Sequence, residues 1–157
     1  PNVKQVFHKE IEEALAKSRT LEGPSLINPF NQPLRRGRIR TFFDRWSDDL
    51  LKSAFSDIPQ HTISNQTKFA GIRIKARIPD LQFILEGHDA LLVQCSKRDA
   101  ETVARVMKEE LEKPIDFNTC TLKRDFKLVI PADFQIGEVN YKDLKKFKFI
   151  TEGLEVV

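Results

Sequence analysis

A chain of 157 residues, 40% hydrophobic and 31% charged, holds enough apolar material for one core that hides roughly two-thirds of its unfolded surface. No apolar run approaches the ~20 residues of a membrane helix and no secretory signal is expected, which points to a soluble, cytoplasmic chain with no membrane partner. The two cysteines, Cys95 and Cys120, make neither a disulfide framework nor a zinc site, and the net charge of +3 is modest for a nucleic-acid binder.

In chain order, Asn2 is placed to cap a first helix whose Val3, Phe7, Ile11, Ala14 and Leu15 form one apolar stripe, ended by Gly23 and Pro24. Core packing accounts for that stripe, and His8 reads as a surface residue. From residue 25 to 37, Asn28, Pro29, Asn31, Pro33 and Gly37 predict a loop or irregular hairpin. Leu50, Leu51, Ala54, Phe55 and Ile58 predict a helix that Pro59 kinks or breaks, because proline removes a backbone donor and disfavours helix at the residue before it. Residues 62–74 continue it. A bend at Pro59 presents Gln60 and His61, whose polar groups are then free to reach a ligand.

Leu81, Phe83 and Leu85 alternate with polar residues, Leu91 to Val93 resume after a break, and Gly87, His88, Asp89 and Ala90 lie between. This predicts a β-hairpin with a carboxylate at its tip, Gly87 allowing the backbone of a tight turn. Asp89 has two readings there. It hydrogen-bonds its own backbone, as turn aspartates usually do, or it offers oxygen ligands to a hard metal ion. Residues 96–99 read as a capping box on Ser96 and Asp99, and Ala100, Val103, Ala104, Met107 and Leu111 then recur at helical spacing up to Pro114. Glu109, Glu110 and Glu112 fall on the polar face and read as solvating charges.

Basic residues cluster twice. Arg35, Arg36, Arg38, Arg40 and Arg45 stand among Phe42, Phe43 and Trp46, where phosphate contact is the favoured reading. Lys142, Lys145, Lys146 and Lys148 stand among Tyr141, Phe147 and Phe149, where a solvated face is favoured. No glycine-rich phosphate loop or paired nucleophile and base is visible.

The order of strand, His88-Asp89 turn, strand and helix resembles motif C of the family A DNA polymerases, the DNA polymerase I family. The likeness extends upstream, where residues 54–62, with Pro59, Gln60 and Thr62, look like the family's Ala-rich helix running into Pro, Gln and Thr in its phage-like version. Arg36-Gly37-Arg38-Ile39-Arg40 is similar to the Gly-Arg-x-Arg stretch after the fingers helices, and residues 128–131 and 136–138 to the closing strand and tail. Ala90 departs from the pattern where many members carry Glu. The motif A aspartate and the fingers helix that holds the incoming triphosphate have no counterpart in these residues.

The resemblance implies an α+β fold, a small antiparallel sheet carrying the His-Asp hairpin and backed by amphipathic helices. Residues 1–46 would be a fingers-derived helix and basic loop, and 47–157 a palm portion with the hairpin and C-terminal strand and tail. It further implies that Asp89 is one of two aspartates that hold Mg²⁺, that His88 contacts the primer terminus, and that Gln60 contacts the minor groove of primer-template DNA. Lys52, Ser56, His61, Arg36, Arg38 and Arg40 are then further DNA contacts. A single carboxylate binds Mg²⁺ poorly, so the isolated chain is expected to bind it weakly or not at all and to be inactive. Such a piece of a DNA-directed DNA polymerase would meet dNTP only through an N-terminal half, in a bacterial host's cytoplasm if phage-encoded. The alternative is a non-catalytic duplex-binding module, and exposed apolar faces leave room for a homodimer.

Overall fold

A computed structural model describes residues 3–17, 19–20, 23–27, 29–30, 39–41, 47–120, 124–150 and 153–156. The chain is α+β, with helices and several small antiparallel sheets. Contacts group it into two compact units, residues 1–66 with 114–128, and residues 67–113 with 129–157. That grouping follows contacts in space, whereas the division at residue 46 follows segments of the sequence.

In the first unit, helix α1 (Val3–Lys17) buries Ile11 and Leu15 fully, one turn apart, with Phe7 and Ala14 packed beside them. Asn2, its expected cap, lies outside the described residues. Strands β1 (Arg19–Thr20), β2 (Gly23–Ile27) and β3 (Ile39–Thr41) form an antiparallel sheet in that order, with Leu26 opposite Arg40 and buried in the same core. Residues 25–27 of β2, which begins at Gly23, pair with 39–41, while residues 28 and 31–38 of the expected loop or irregular hairpin lie outside the described residues. His8 is half-buried, its ring stacked on Phe55 at 3.8 Å and 8°. Strands β6 (Ile115–Asp116) and β7 (Lys127–Leu128) pair in the same unit, and Arg124 reaches Glu10 at 2.5 Å.

Helix α2 (Asp48–Arg77) starts where the Ser47 hydroxyl accepts the Leu50 amide at 3.1 Å, and Asp48 and Asp49 complement the helix dipole in the first turn. It runs unbroken through Pro59, which corrects the expected break. Proline withholds one backbone hydrogen bond, but burial on both sides of it, of Ala54 and Ile58 before and Ala70 and Ile74 after, holds the helical path. The Thr62 hydroxyl also donates to the Ile58 carbonyl at 2.6 Å.

The second unit packs Ala70 and Ile74 with Leu81, Val103, Val106 and Met107, against Phe83, Leu91, Val93 and Phe134. Strands β4 (Gln82–Glu86) and β5 (Leu91–Gln94) form the expected hairpin, with Phe83 opposite Val93 and Leu85 opposite Leu92. The register slips between Phe83 and Leu85, and a one-residue slip reverses the faces. Leu85 is therefore 59% exposed instead of following Leu81 and Phe83 into the core. Helix α3 (Ala100–Leu111) begins without the expected capping box. Asp99 is helical (φ −95°, ψ −7°) and its amide bonds to the Ser96 carbonyl, so the Ser96 hydroxyl donates instead to the Asp99 carboxylate at 2.7 Å. Strands β8 (Phe134–Ile136), β9 (Lys145–Ile150) and β10 (Gly153–Val156) make a further sheet, with β9 central. Phe134, Phe147 and Phe149 meet there edge-on and tilted, 5.2–5.8 Å apart, while Lys145, Lys146 and Lys148 are exposed.

Candidate nucleic-acid interface and hairpin carboxylate

Successive residues of an α-helix turn by about 100°, so Lys52, Ser56 and Gln60 share one stripe of α2. Gln60 is exposed, and its side chain has no hydrogen-bond partner among the described residues. Lys52 is exposed and lies 3.3 Å from Asp49, a contact of little energetic weight at the surface. Ser56 is half-buried, and its hydroxyl donates to the Ser53 carbonyl at 3.0 Å. His61 does not join the stripe. With the helix continuous it turns away from Gln60 and sits half-buried, Nδ1 3.3 Å from the carboxylate of buried Asp57. Gln60 and His61 are thus successive residues of one helix, about 100° apart around it, and not a pair presented together by a break. Arg36 and Arg38 lie outside the described residues, and Arg40 is placed on β3 by its backbone alone.

At the hairpin tip the Gly87 amide donates to the Ala90 carbonyl at 2.8 Å, closing the turn over His88 and Asp89, both exposed. His88 is thus a turn residue, outside both strands of the hairpin. Gly87 does not use the left-handed backbone reserved for glycine, and a Cβ there would stand an ordinary 3.5 Å from the Ala90 carbonyl.

The Asp89 carboxylate has no hydrogen-bond or ion-pair partner among the described residues. Two other turns of the chain show the usual alternative. Asp116 accepts the Asn118 amide at 2.9 Å, and Asn140 accepts the Lys142 amide at 2.8 Å. Of the two readings of Asp89, local capping is not the one the structure adopts.

Among the described residues no three His, Cys, Asp or Glu side chains converge to hold a metal ion. Mg²⁺ is bound by several oxygens, usually including more than one charged group around phosphates. Asp89 and its described neighbours do not by themselves compose such a site. Gln60, Lys52 and Ser56 belong to the first unit, and His88 and Asp89 to the second.

The sequence reading missed one group entirely. Glu110 is buried at 3% exposure and is not a solvating charge. Arg73 Nε and Lys113 Nζ each lie 2.7 Å from its Oε2, and an Arg77 nitrogen 3.1 Å from Oε1. Burial pushes its carboxyl upward, but hydrogen bonds from Lys113, Arg73 and Arg77 overcome this and hold it at about 2. Glu112 is half-buried as well. Burial opposes its ionisation, yet Lys108 and the Ala132 amide hold it below the usual range. Arg73 and Arg77 at i, i+4 on α2 were the available signal, since two such cations on one helix face call for an acidic partner.

Cys95 is exposed, and partial desolvation and then Asp99 push its thiol up, which lowers its thiolate fraction. Among the described residues no helix is long and apolar enough to cross a membrane. No protein-family model, curated protein or solved structure matches the chain.

Proposed function

We propose that this chain is the C-terminal palm portion, with the end of the fingers, of a phage-like family A DNA polymerase. Its work is templated nucleotidyl transfer, to which it brings one metal-binding aspartate and part of the primer-template surface. The reading rests on the motif resemblance. The observation that carries it furthest is Asp89, exposed at the tip of the β4–β5 turn and spared the backbone hydrogen bonds that Asp116 and Asn140 make in theirs. The strand, turn, strand and helix around it follow the order of motif C.

On this reading Gln60 tests the minor groove, where purine N3 and pyrimidine O2 present acceptors on every correct pair. Lys52 and the Arg36 to Arg40 stretch meet phosphates. A second carboxylate and the triphosphate site come from family segments that this sequence does not include. The test is complementation of the purified chain with a family A segment bearing motif A and the fingers helix, under Mg²⁺, on a primer-template. No extension is expected from the chain alone, extension is expected on mixing, and Asp89→Ala abolishes it. Templated extension by the chain alone, or rescue that survives Asp89→Ala, overturns the assignment of Asp89.

A second reading, a duplex-binding module without catalysis, is favoured by one observation. Lys52, Ser56 and Gln60 share a face of a single helix and need no other segment, whereas metal binding does. It expects duplex binding indifferent to Asp89.

A further inference from the structure

A groove runs along the outer edge of β4, wholly within the second unit, between that strand and the face of α2 that carries Lys68, Gly71, Ile72 and Lys75. Gln82, Phe83, Ile84 and Glu86 all line it, residues from both faces of β4, so it is the strand's edge that opens there. That edge pairs with no strand among the described residues, and an open edge offers backbone donors and acceptors to another strand. Ile72, Ile84 and Leu85 beside it are 60%, 55% and 59% exposed, which makes the edge apolar as well as open.

The charges of the groove narrow what can cover it. Lys75 Nζ donates to the Leu81 carbonyl at 2.9 Å, beside Asp80. One turn earlier on α2, Gly71 faces Phe83 and Leu91, and Leu91 pairs with Glu86. Lys68, a further turn back, therefore shares one end of the groove with Glu86, while Lys75 and Asp80 share the other. Lys68, Asp80 and Glu86 are exposed, and no ion pair engages any of them among the described residues. With one cation and one anion at each end, the groove suits neither a polyanion nor a polycation.

We infer that the occupant is a second copy of this chain, docked through the same groove about a two-fold axis at Ile84, with the two β4 strands antiparallel. Antiparallel apposition sets the Lys68 and Glu86 end of one copy against the Lys75 and Asp80 end of the other. Lys68 then meets the partner's Asp80, and Glu86 meets the partner's Lys75, whose ammonium has donors to spare beyond the one given to Leu81. Ile72, Ile84 and Leu85 leave water against their own counterparts. The register slip next to Ile84 increases the twist of β4, so the strands cross there in place of a long flush ladder. Because both copies use the same surface, the contact closes at two chains. The inference is independent of the roles proposed for Asp89 and Gln60.

Sedimentation velocity of the full chain at low salt, from about 1 μM to 1 mM, should show a monomer passing to a dimer with a dissociation constant of about 10–100 μM, in keeping with a small interface. Lys68→Glu places like charges against Asp80 twice in the dimer, and Asp80→Lys places them twice against Lys68. Each variant alone should dimerise at least about tenfold more weakly. Mixed in equal amounts, the two variants should associate within about threefold of the unaltered chain, because each then carries the charge that its mate lacks. Ile84→Asp should remain monomeric throughout. Circular dichroism checks that these exposed positions tolerate the changes. A monomer over the whole range overturns the inference. So does a dimer that Ile84→Asp or the single charge reversals leave unchanged, or a mixture that associates no better than either variant by itself.

Discussion

Arg73 holds Glu110 at two points, its Nε 2.7 Å from the carboxylate and a terminal nitrogen 2.8 Å from the same residue's backbone carbonyl. The double grip ties α2 to the last turn of α3, where helix carbonyls lack intrahelical donors. Removing the carboxylate strands Arg73 beside buried surface. Glu110→Ala should therefore destabilise the protein by roughly 2–4 kcal/mol, somewhat below a fully buried pair because the cations keep part of their hydration. Urea denaturation at pH 7 measures it.

The same residue sets an acid limb. Glu110 is held at about 2 in the folded protein, below the ordinary 4.5. A carboxyl depressed on folding stabilises above its unfolded pKa, and that contribution is lost as pH falls through the folded value. Stability from Glu110 is thus complete at neutral pH and declines between about pH 4.5 and 2. The midpoint of thermal unfolding, followed over that range, should fall less steeply in Glu110→Gln than in the unaltered chain. Equal slopes would remove Glu110 as a source of the acid limb.

Three glycines should respond differently to alanine. A Cβ on Gly71 meets Phe83 and Leu91 side-chain atoms at an ordinary 3.6–3.8 Å, in the middle of a helix. Gly71→Ala should stabilise by about 0.5–1 kcal/mol through helix propensity. At Gly137 the Cβ would come within 3.2 Å of three backbone atoms, Asn140 O, Asp143 C and Leu144 N. Backbone cannot swing aside as a side chain can, so Gly137→Ala should cost about 1–2 kcal/mol. Gly87→Ala should stay within about 0.5 kcal/mol, and chemical denaturation of the three variants orders them.

Asp89→Ala should leave stability within about 0.5 kcal/mol, since the exposed carboxylate has no described partner to lose. Asp116→Ala, which removes the cap on the Asn118 amide, should cost about 1 kcal/mol. Loss of extension in the complementation assay with unchanged melting then separates function from folding at Asp89.

Duplex binding should depend on salt in proportion to the phosphates met. Lys52→Ala is expected to weaken binding at low salt and to reduce the slope of log K against log salt by about 0.9, while Gln60→Ala weakens binding with the slope unchanged. Titrations at several salt concentrations distinguish the two. A slope that Lys52→Ala leaves untouched would remove Lys52 from the interface.

Local periodicity by itself determined much of this protein. The 3.6-residue recurrence of Phe7, Ile11, Ala14 and Leu15, of Leu50 to Ile58, and of Val103 to Leu111 specified three helices, and two apolar stretches around Gly87 to Ala90 specified the hairpin, because these depend on near neighbours in the chain. Lys52 and Gln60 fall on one helix face because α2 continues through Pro59, where local sequence called for a kink or break. Tertiary structure decided what neighbours could not. It carried α2 through Pro59, since the burial of Ala54, Ile58, Ala70 and Ile74 outweighs one missing amide, and so turned His61 away from Gln60 toward Asp57. It placed Leu85 outward through a register slip that depends on the partner strand. It made Glu110 a buried anchor, because two of the three cations that hold it, Arg73 and Arg77, are more than 30 residues away in sequence and meet it only when two helices pack, Lys113 alone being a near neighbour. A carboxylate's role follows from which cations reach it, and that is a property of the folded chain.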